Sequence, residues 1–136
     1  MATIPSSFKF KKYFKGKIKT TKKNKKIVFG NFGLKAEESG RITPKQLETA
    51  RRTIKKIIKP SNGLVKTKLR AYIPATAKAI ATRQGRGKGK VSIHICVVKA
   101  GTIIFEILCS DKRLALQAAR QGAFLLPIKS LLIARN

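Results

Sequence analysis

Apolar residues return along this chain with two different periods, and the changes of period mark its elements. Leu47, Ala50, Ile54, Ile57 and Ile58 recur at helical spacing and make one stripe, with Lys45, Arg52, Lys55, Lys56 and Lys59 largely off it. The start of that helix is spelled out. Thr43 suits the N-cap, Pro44 the first helical position, and Gln46 stands three residues after Thr43 to complete a capping box. Ile42 and Leu47 occupy the hydrophobic-staple positions, and Pro60 and Gly63 end the helix. Leu64 to Ile73 reads as a strand, because Leu69, Ala71 and Ile73 alternate with Lys68, Arg70 and Tyr72. Pro74 interrupts it, and no regular structure is expected over 74–90. Val91, Ile93, Ile95 and Val97 alternate with Ser92, His94, Cys96 and Val98. Lys99-Ala100-Gly101 turns and Thr102 to Leu108 returns, which predicts a hairpin. Ser110 or Asp111 caps a second helix carrying Leu114, Ala115, Ala118 and Ala119 on one face, with Gly122 inside its last turn or ending it. Leu126-Pro127-Ile128-Lys129 breaks that helix, and 128–133 reads as a final strand. Upstream, Phe29-Gly30-Asn31-Phe32-Gly33 suggests a strand with tight bends, followed by a polar turn from Glu37 to Arg41.

Charge changes the picture from a generic small protein to a polyanion binder. The 136 residues suffice for one folded unit with a core, and they hold Lys+Arg 32 against Asp+Glu 5, a net charge of +27. Such an excess opposes compaction unless a partner neutralises it, and nucleic acid is the fitting partner. Hydrophobic residues make up 43% of the chain, so it is no disordered basic tail. Residues 1–27 form a basic arm with ten lysines and no arginine, Lys9, Lys11, Lys12, Lys15 and Lys17 among them. Phe8, Phe10, Tyr13 and Phe14 interleave these lysines, and either stack on unpaired bases or pack on the rest of the protein. Residues 28–136 are expected to form a single folded domain. A second basic stretch, Arg83-Gln84-Gly85-Arg86-Gly87-Lys88-Gly89-Lys90, alternates cations with glycines and contains no acid. Glycine permits close backbone approach, and Arg and Lys bring charge and donors to phosphate.

Catalytic chemistry finds few candidates. Glu37 and Glu38 lie in a turn, Glu48 stands four before Arg52, Asp111 belongs near a helix start, and Glu106 sits in a strand where a neighbouring cation is expected. His94 is the one histidine and lies on a strand face. One His and two separated cysteines build no metal site. In the expected hairpin Cys96 faces about residue 104, not Cys109, so both thiols are read as reduced and packed. Gly85, Gly89 and Lys90 give a phosphate-loop motif one residue short, with Val91 where Ser or Thr is needed, and the strand follows the loop. No enzyme, cofactor or metal is expected. No apolar run is long enough to span a bilayer, and the basic N-terminus lacks the apolar stretch of a secretory signal.

Five blocks, in order, resemble the bacterial-type large-subunit ribosomal protein L-sixteen family. They are Lys9-Phe10-Lys11-Lys12 with Lys15-Gly16-Lys17; Phe29-Gly30-Asn31-Phe32-Gly33-Leu34-Lys35-Ala36; Gly40-Arg41-Ile42-Thr43 with Gln46 and Ala50-Arg51-Arg52; Arg83-x-Gly85-x-Gly87-Lys88-Gly89; and Leu126-Pro127-Ile128-Lys129. The resemblance implies an α+β fold of hammerhead type, an antiparallel or mixed sheet with two packed helices. It implies a structural role in the large ribosomal subunit. The partners would be large-subunit rRNA near the central protuberance and peptidyl-transferase region, A-site tRNA and neighbouring ribosomal proteins, with no membrane and no homo-oligomer. Carried over by match, Arg83, Arg86, Lys88 and Lys90 contact rRNA or tRNA, with Gly85, Gly87 and Gly89 permitting the approach. The arm lysines Lys9, Lys11, Lys12, Lys15 and Lys17, together with Arg41, Arg51, Arg52, Lys55 and Lys129, bind rRNA. Gln84 stands where the family usually has Met, and His94 where an aromatic or basic residue is usual. Those departures, the preference for Lys over Arg and the absence of Trp suit a mitochondrial ribosome, with a plastid or bacterial one as alternatives. A free basic protein acting on DNA or membranes is the competing class; it would need neither a capped helix nor alternating strands.

Overall fold

The computed structural model describes residues 10–18, 26–83, 85 and 87–135. In chain order its elements are β1 (Phe32–Ala36), β2 (Gly40–Ile42), α1 (Pro44–Ile58), β3 (Leu64–Thr67), β4 (Ile73–Ala77), β5 (Lys90–Val98), β6 (Ile103–Leu108), α2 (Lys112–Phe124) and β7 (Ser130–Ala134). The protein is α+β. The strands form two antiparallel sheets, of order β3-β6-β1-β7 and β2-β5-β4.

Helix α1 forms where its cap chemistry demands. The Gln46 N–H donates to Thr43 Oγ1 at 3.3 Å and the Thr43 N–H donates to Gln46 Oε1 at 2.9 Å, closing the capping box. Asp111 caps α2 by accepting from the Arg113 N–H at 2.8 Å. The helices pack together and on the four-stranded sheet. Leu47, Ala50, Ile54 and Ile58 of α1 and Ala115, Ala118 and Ala119 of α2 share one core with Leu34, Phe105 and Ile107 of the sheet. Gly122 lies inside α2 at the crossing with α1. A Cβ there would stand 2.5 Å from Ile54 Cδ1, so any larger residue would force the Ile54 side chain to shift.

The expected hairpin from Val91 to Leu108 does not form, because β5 and β6 belong to different sheets. Each instead pairs with one half of a second bent segment. β6 takes β1, with Leu34 opposite Phe105, and β5 takes β2, with Arg41 opposite Val97. The two corners lock to each other: the Gly101 N–H donates to the Ala36 carbonyl at 2.7 Å, the Ala36 N–H to the Thr102 carbonyl at 2.9 Å, and the Ala100 N–H to Ser39 Oγ at 3.0 Å. Alternation specifies which face of a strand is apolar, not which strand will lie beside it.

Other boundaries shift for the same reason. The run Leu64 to Ile73 splits between the sheets, with Ala71 fully buried in the crossing between β3 and β4. Strand structure continues through Pro74 to Ala77. β4 is an edge strand, where a missing N–H is tolerated. The expected polar turn from Glu37 to Arg41 stops earlier, since Gly40 and Arg41 begin β2. The segment from Phe29 becomes a strand only at Phe32, and the last strand starts at Ser130, two residues after its expected start. Cys96 and Cys109 are free and buried, and burial pushes the Cys96 thiol up to about 11.

Candidate nucleic-acid interface

The glycine-basic stretch lies at the tip of the hairpin made by β4 and β5, so strands hold it on both sides. Its glycines have two different reasons to be glycine. Gly85 and Gly87 have φ of 98° and 77°, a left-handed backbone that side-chain-bearing residues rarely adopt, and nothing crowds them. Gly89 has an ordinary φ, but a Cβ there would meet the Ala77 carbonyl oxygen at 2.3 Å. Lys78, not anticipated from the sequence, folds the loop by donating from Nζ to the Gly85 carbonyl at 2.6 Å. An open hollow of about 440 Å³ results, with Lys78, Lys88 and Lys90 on its walls.

The arm meets this loop. Lys12 Nζ donates to the Lys88 carbonyl at 3.0 Å, and Lys88 Nζ donates back to the Tyr13 carbonyl. The same ammonium lies 4.9 Å from the centroid of Phe14, a cation–π geometry. Phe14 is 95% exposed, so its ring presents a flat apolar face to solvent beside the loop. Phe10 and Tyr13 pack edge to face with centroids 5.6 Å apart. Further along, Arg41 Nη2 donates to the Lys15 and Gly16 carbonyls at 2.8 and 2.6 Å. Arg41 thus holds the arm against β2. The contacts bring Lys12, Arg41 and Lys88 together, with Lys90 on the loop's hollow, while Lys11, Lys15 and Lys17 are exposed on the arm; among the described residues no carboxylate pairs with any of them. Arg83 and Gly85 belong to the same exposed loop. Lys9 and Arg86 lie outside the described residues.

The remaining cations expected to bind RNA sit elsewhere. Arg51 and Arg52 lie on α1, both bonded to Glu48, at 3.5 and 3.2 Å. Partial burial raises the Glu48 carboxyl, but the Arg52 hydrogen bond and both guanidinium charges outweigh it and hold the group below its usual value. Lys55 is exposed on the same helix. Lys129 pairs with Glu38 at 3.4 Å, and both side chains are largely exposed. Exposed pairs of this kind are worth about 0–1 kcal/mol, so they compete weakly with phosphate.

One buried acid positions the arm's exit. Glu106 is fully buried on β6 and accepts from the Phe29 N–H at 2.7 Å, the Val28 N–H at 3.3 Å and Lys68 Nζ at 3.2 Å. Burial alone would raise its carboxyl, but these donors more than offset that and hold it below the usual carboxylate range. A neighbouring cation for Glu106 is legible in the sequence; the two backbone donors, 77 and 78 residues away, are not. Among the described residues no group of His, Cys, Asp and Glu could hold a metal ion, and no helix is long and apolar enough to cross a membrane.

Residues 5–133 match the family described as Ribosomal protein L16p/L10e. The chain is 42% identical over 133 residues to the large ribosomal subunit protein uL16 of Coxiella burnetii (strain RSA 493 / Nine Mile phase I), spanning 97% of this chain and 96% of that protein. It is 39% identical over 132 residues to the protein of the same name from Rhizobium meliloti (strain 1021), spanning 96% of each.

Proposed function

The chain belongs to the ribosomal protein L16p/L10e family, and from that premise we propose that it is a structural protein of the large ribosomal subunit whose arm and loop grip rRNA and support A-site tRNA. It is no enzyme. Residues 1–27 act as the basic arm and 28–136 as the domain that carries it. The observation that supports this reading most is the docking of arm, Arg41 and loop together, with no paired carboxylate among the described residues there. Such a surface offers ammonium groups, an exposed aromatic ring and loop backbone to a phosphate chain with unpaired bases. Arg83, Arg86, Lys88 and Lys90 meet rRNA or tRNA phosphates, while Arg51, Arg52, Lys55 and Lys129 make a second set of rRNA contacts at the cost of weak surface pairs.

Sedimentation tests the assignment directly. The tagged chain should travel with the large subunit at moderate salt, and its absence there would overturn the reading. Isolated protein should bind rRNA with a steep salt dependence, each phosphate contact adding about 0.7–0.9 to the log–log slope. A flat slope would contradict it.

We place that ribosome in a mitochondrion, on the strength of an arm built with lysine alone and a chain without Trp. The bacterial relatives favour a second reading, a bacterial ribosome. Separating organelles from cytoplasm in the source cell before sedimentation distinguishes them.

A further inference from the structure

Strand β7 closes one edge of the four-stranded sheet and pairs with β1 alone among the described residues. Its register sets Gly33 opposite Ile133 and Lys35 opposite Leu131. At the ends of the ladder the Glu37 N–H donates to the Lys129 carbonyl at 2.9 Å and the Arg135 N–H to the Asn31 carbonyl at 2.8 Å. Odd-numbered residues of β7 therefore face β1, and Ser130, Leu132 and Ala134 turn their N–H and C=O groups outward. An unpaired edge of this kind is a template for another strand.

The surroundings of that edge combine exposed apolar groups with balanced charge. Beside it runs an open groove of about 840 Å³ between α2 and β7. Phe124 is 87% exposed and Leu131 53% exposed along it. The Ser130 hydroxyl, also on the groove wall, is buried with no hydrogen-bond partner among the described residues. The charges lining the groove are Glu37, Glu38, Arg120 and Lys129, which balance on a chain of net +27. RNA gains little within the groove itself, because its lining charges balance and large apolar groups stand open, while the Lys129 side chain, 77% exposed, stays available to rRNA. A second copy of this chain is repelled by its own charge.

We infer that this groove seats an extended segment of a neighbouring protein of the large subunit. The segment adds as a strand to β7, lays apolar side chains against Phe124 and Leu131, and brings a cation to the Glu37 end. Main-chain bonds to Ser130, Leu132 and Ala134 supply register, and the Ser130 hydroxyl gains a partner. The inference rests on the large-subunit assignment and adds a protein-facing side opposite in character to the arm and loop.

Photocrosslinking tests it. Full-length chains carrying a photoreactive phenylalanine analogue at Phe124 or Leu131 are incorporated into large subunits, which are purified and irradiated. The expected product is an adduct with one segment of a large-subunit protein. Ala134→Pro, which removes an outward N–H and no bond to β1, should abolish that adduct while leaving sedimentation with the subunit unchanged. Phe124→Glu, at an exposed position, should abolish the adduct formed from Leu131. Adducts to rRNA or to a second copy, or none at all in subunits that contain the chain, would overturn the inference. So would adducts that survive both substitutions. A chain missing from the subunit would instead sink the assignment on which the inference stands, and the inference with it.

Discussion

The two sheets of this protein are built from similar strands and do opposite things. In the sheet β3-β6-β1-β7, the central strand β6 is buried from Ile103 to Ile107 and the helices cover the face of Phe105 and Ile107. In the sheet β2-β5-β4, the first half of β5 is exposed, no helix carries its buried stripe over the outer end, and a cationic loop and arm lie there instead. Cohesion sits in one sheet, and the surface proposed for polyanion contact in the other. The described cations of the loop and arm lie away from the shared core, where a polyanionic partner would reduce their mutual repulsion.

Substitutions sharpen or break that division. Phe105→Ala, in the middle of the shared core, should cost about 3–5 kcal/mol of stability in denaturant titrations. Its RNA affinity per folded molecule should not change; a matching loss of affinity would break the comparison. Glu106→Gln keeps the side-chain shape but leaves one of the Val28 and Phe29 donors poorly paired, at about 1–3 kcal/mol. The pH response carries a definite sign. Because the folded carboxyl titrates below its unfolded value, its stabilisation is present above the ordinary glutamate range and is lost as pH falls through the lower folded value. Stability measured from pH 6 to pH 2 should therefore fall less steeply in Glu106→Gln than in the parent. Thr43→Ala removes the capping oxygen of α1 and should cost about 1 kcal/mol, read as a lower denaturation midpoint with an unchanged slope. Smallest in stability is Lys88→Ala, with almost no change in the unfolding midpoint. It should still lower the salt slope of RNA binding by about 0.7–0.9. The same variant should free the arm, since Lys88 bonds the Tyr13 carbonyl, and arm protease sensitivity would report it.

Local chemistry was legible in the chain before any coordinate. Thr43, Pro44 and Gln46 wrote the start of α1 within four residues, and Asp111 is one of the two caps named for α2. The basic arm, the glycine loop and the apolar faces of most strands also follow from neighbouring residues, and the blocks that carry the family resemblance are themselves local. What the chain left open concerns partners distant in sequence. Val91–Val98 and Thr102–Leu108 could close on each other across a short turn as well as on β2 and β1, and alternation suits both. The packed corners at Ala36, Ala100 and Thr102 decide it. Pro74 reads as a break until β4 is seen to lie at an edge. Arg41 is legible as a cation, but not that its guanidinium holds the arm through the Lys15 and Gly16 carbonyls. Caps, turns and faces depend on atoms a few residues apart and are therefore written in sequence. Strand order, the seat of Glu106 and the open edge of β7 depend on which apolar surfaces meet, and that is settled only when the whole core packs at once.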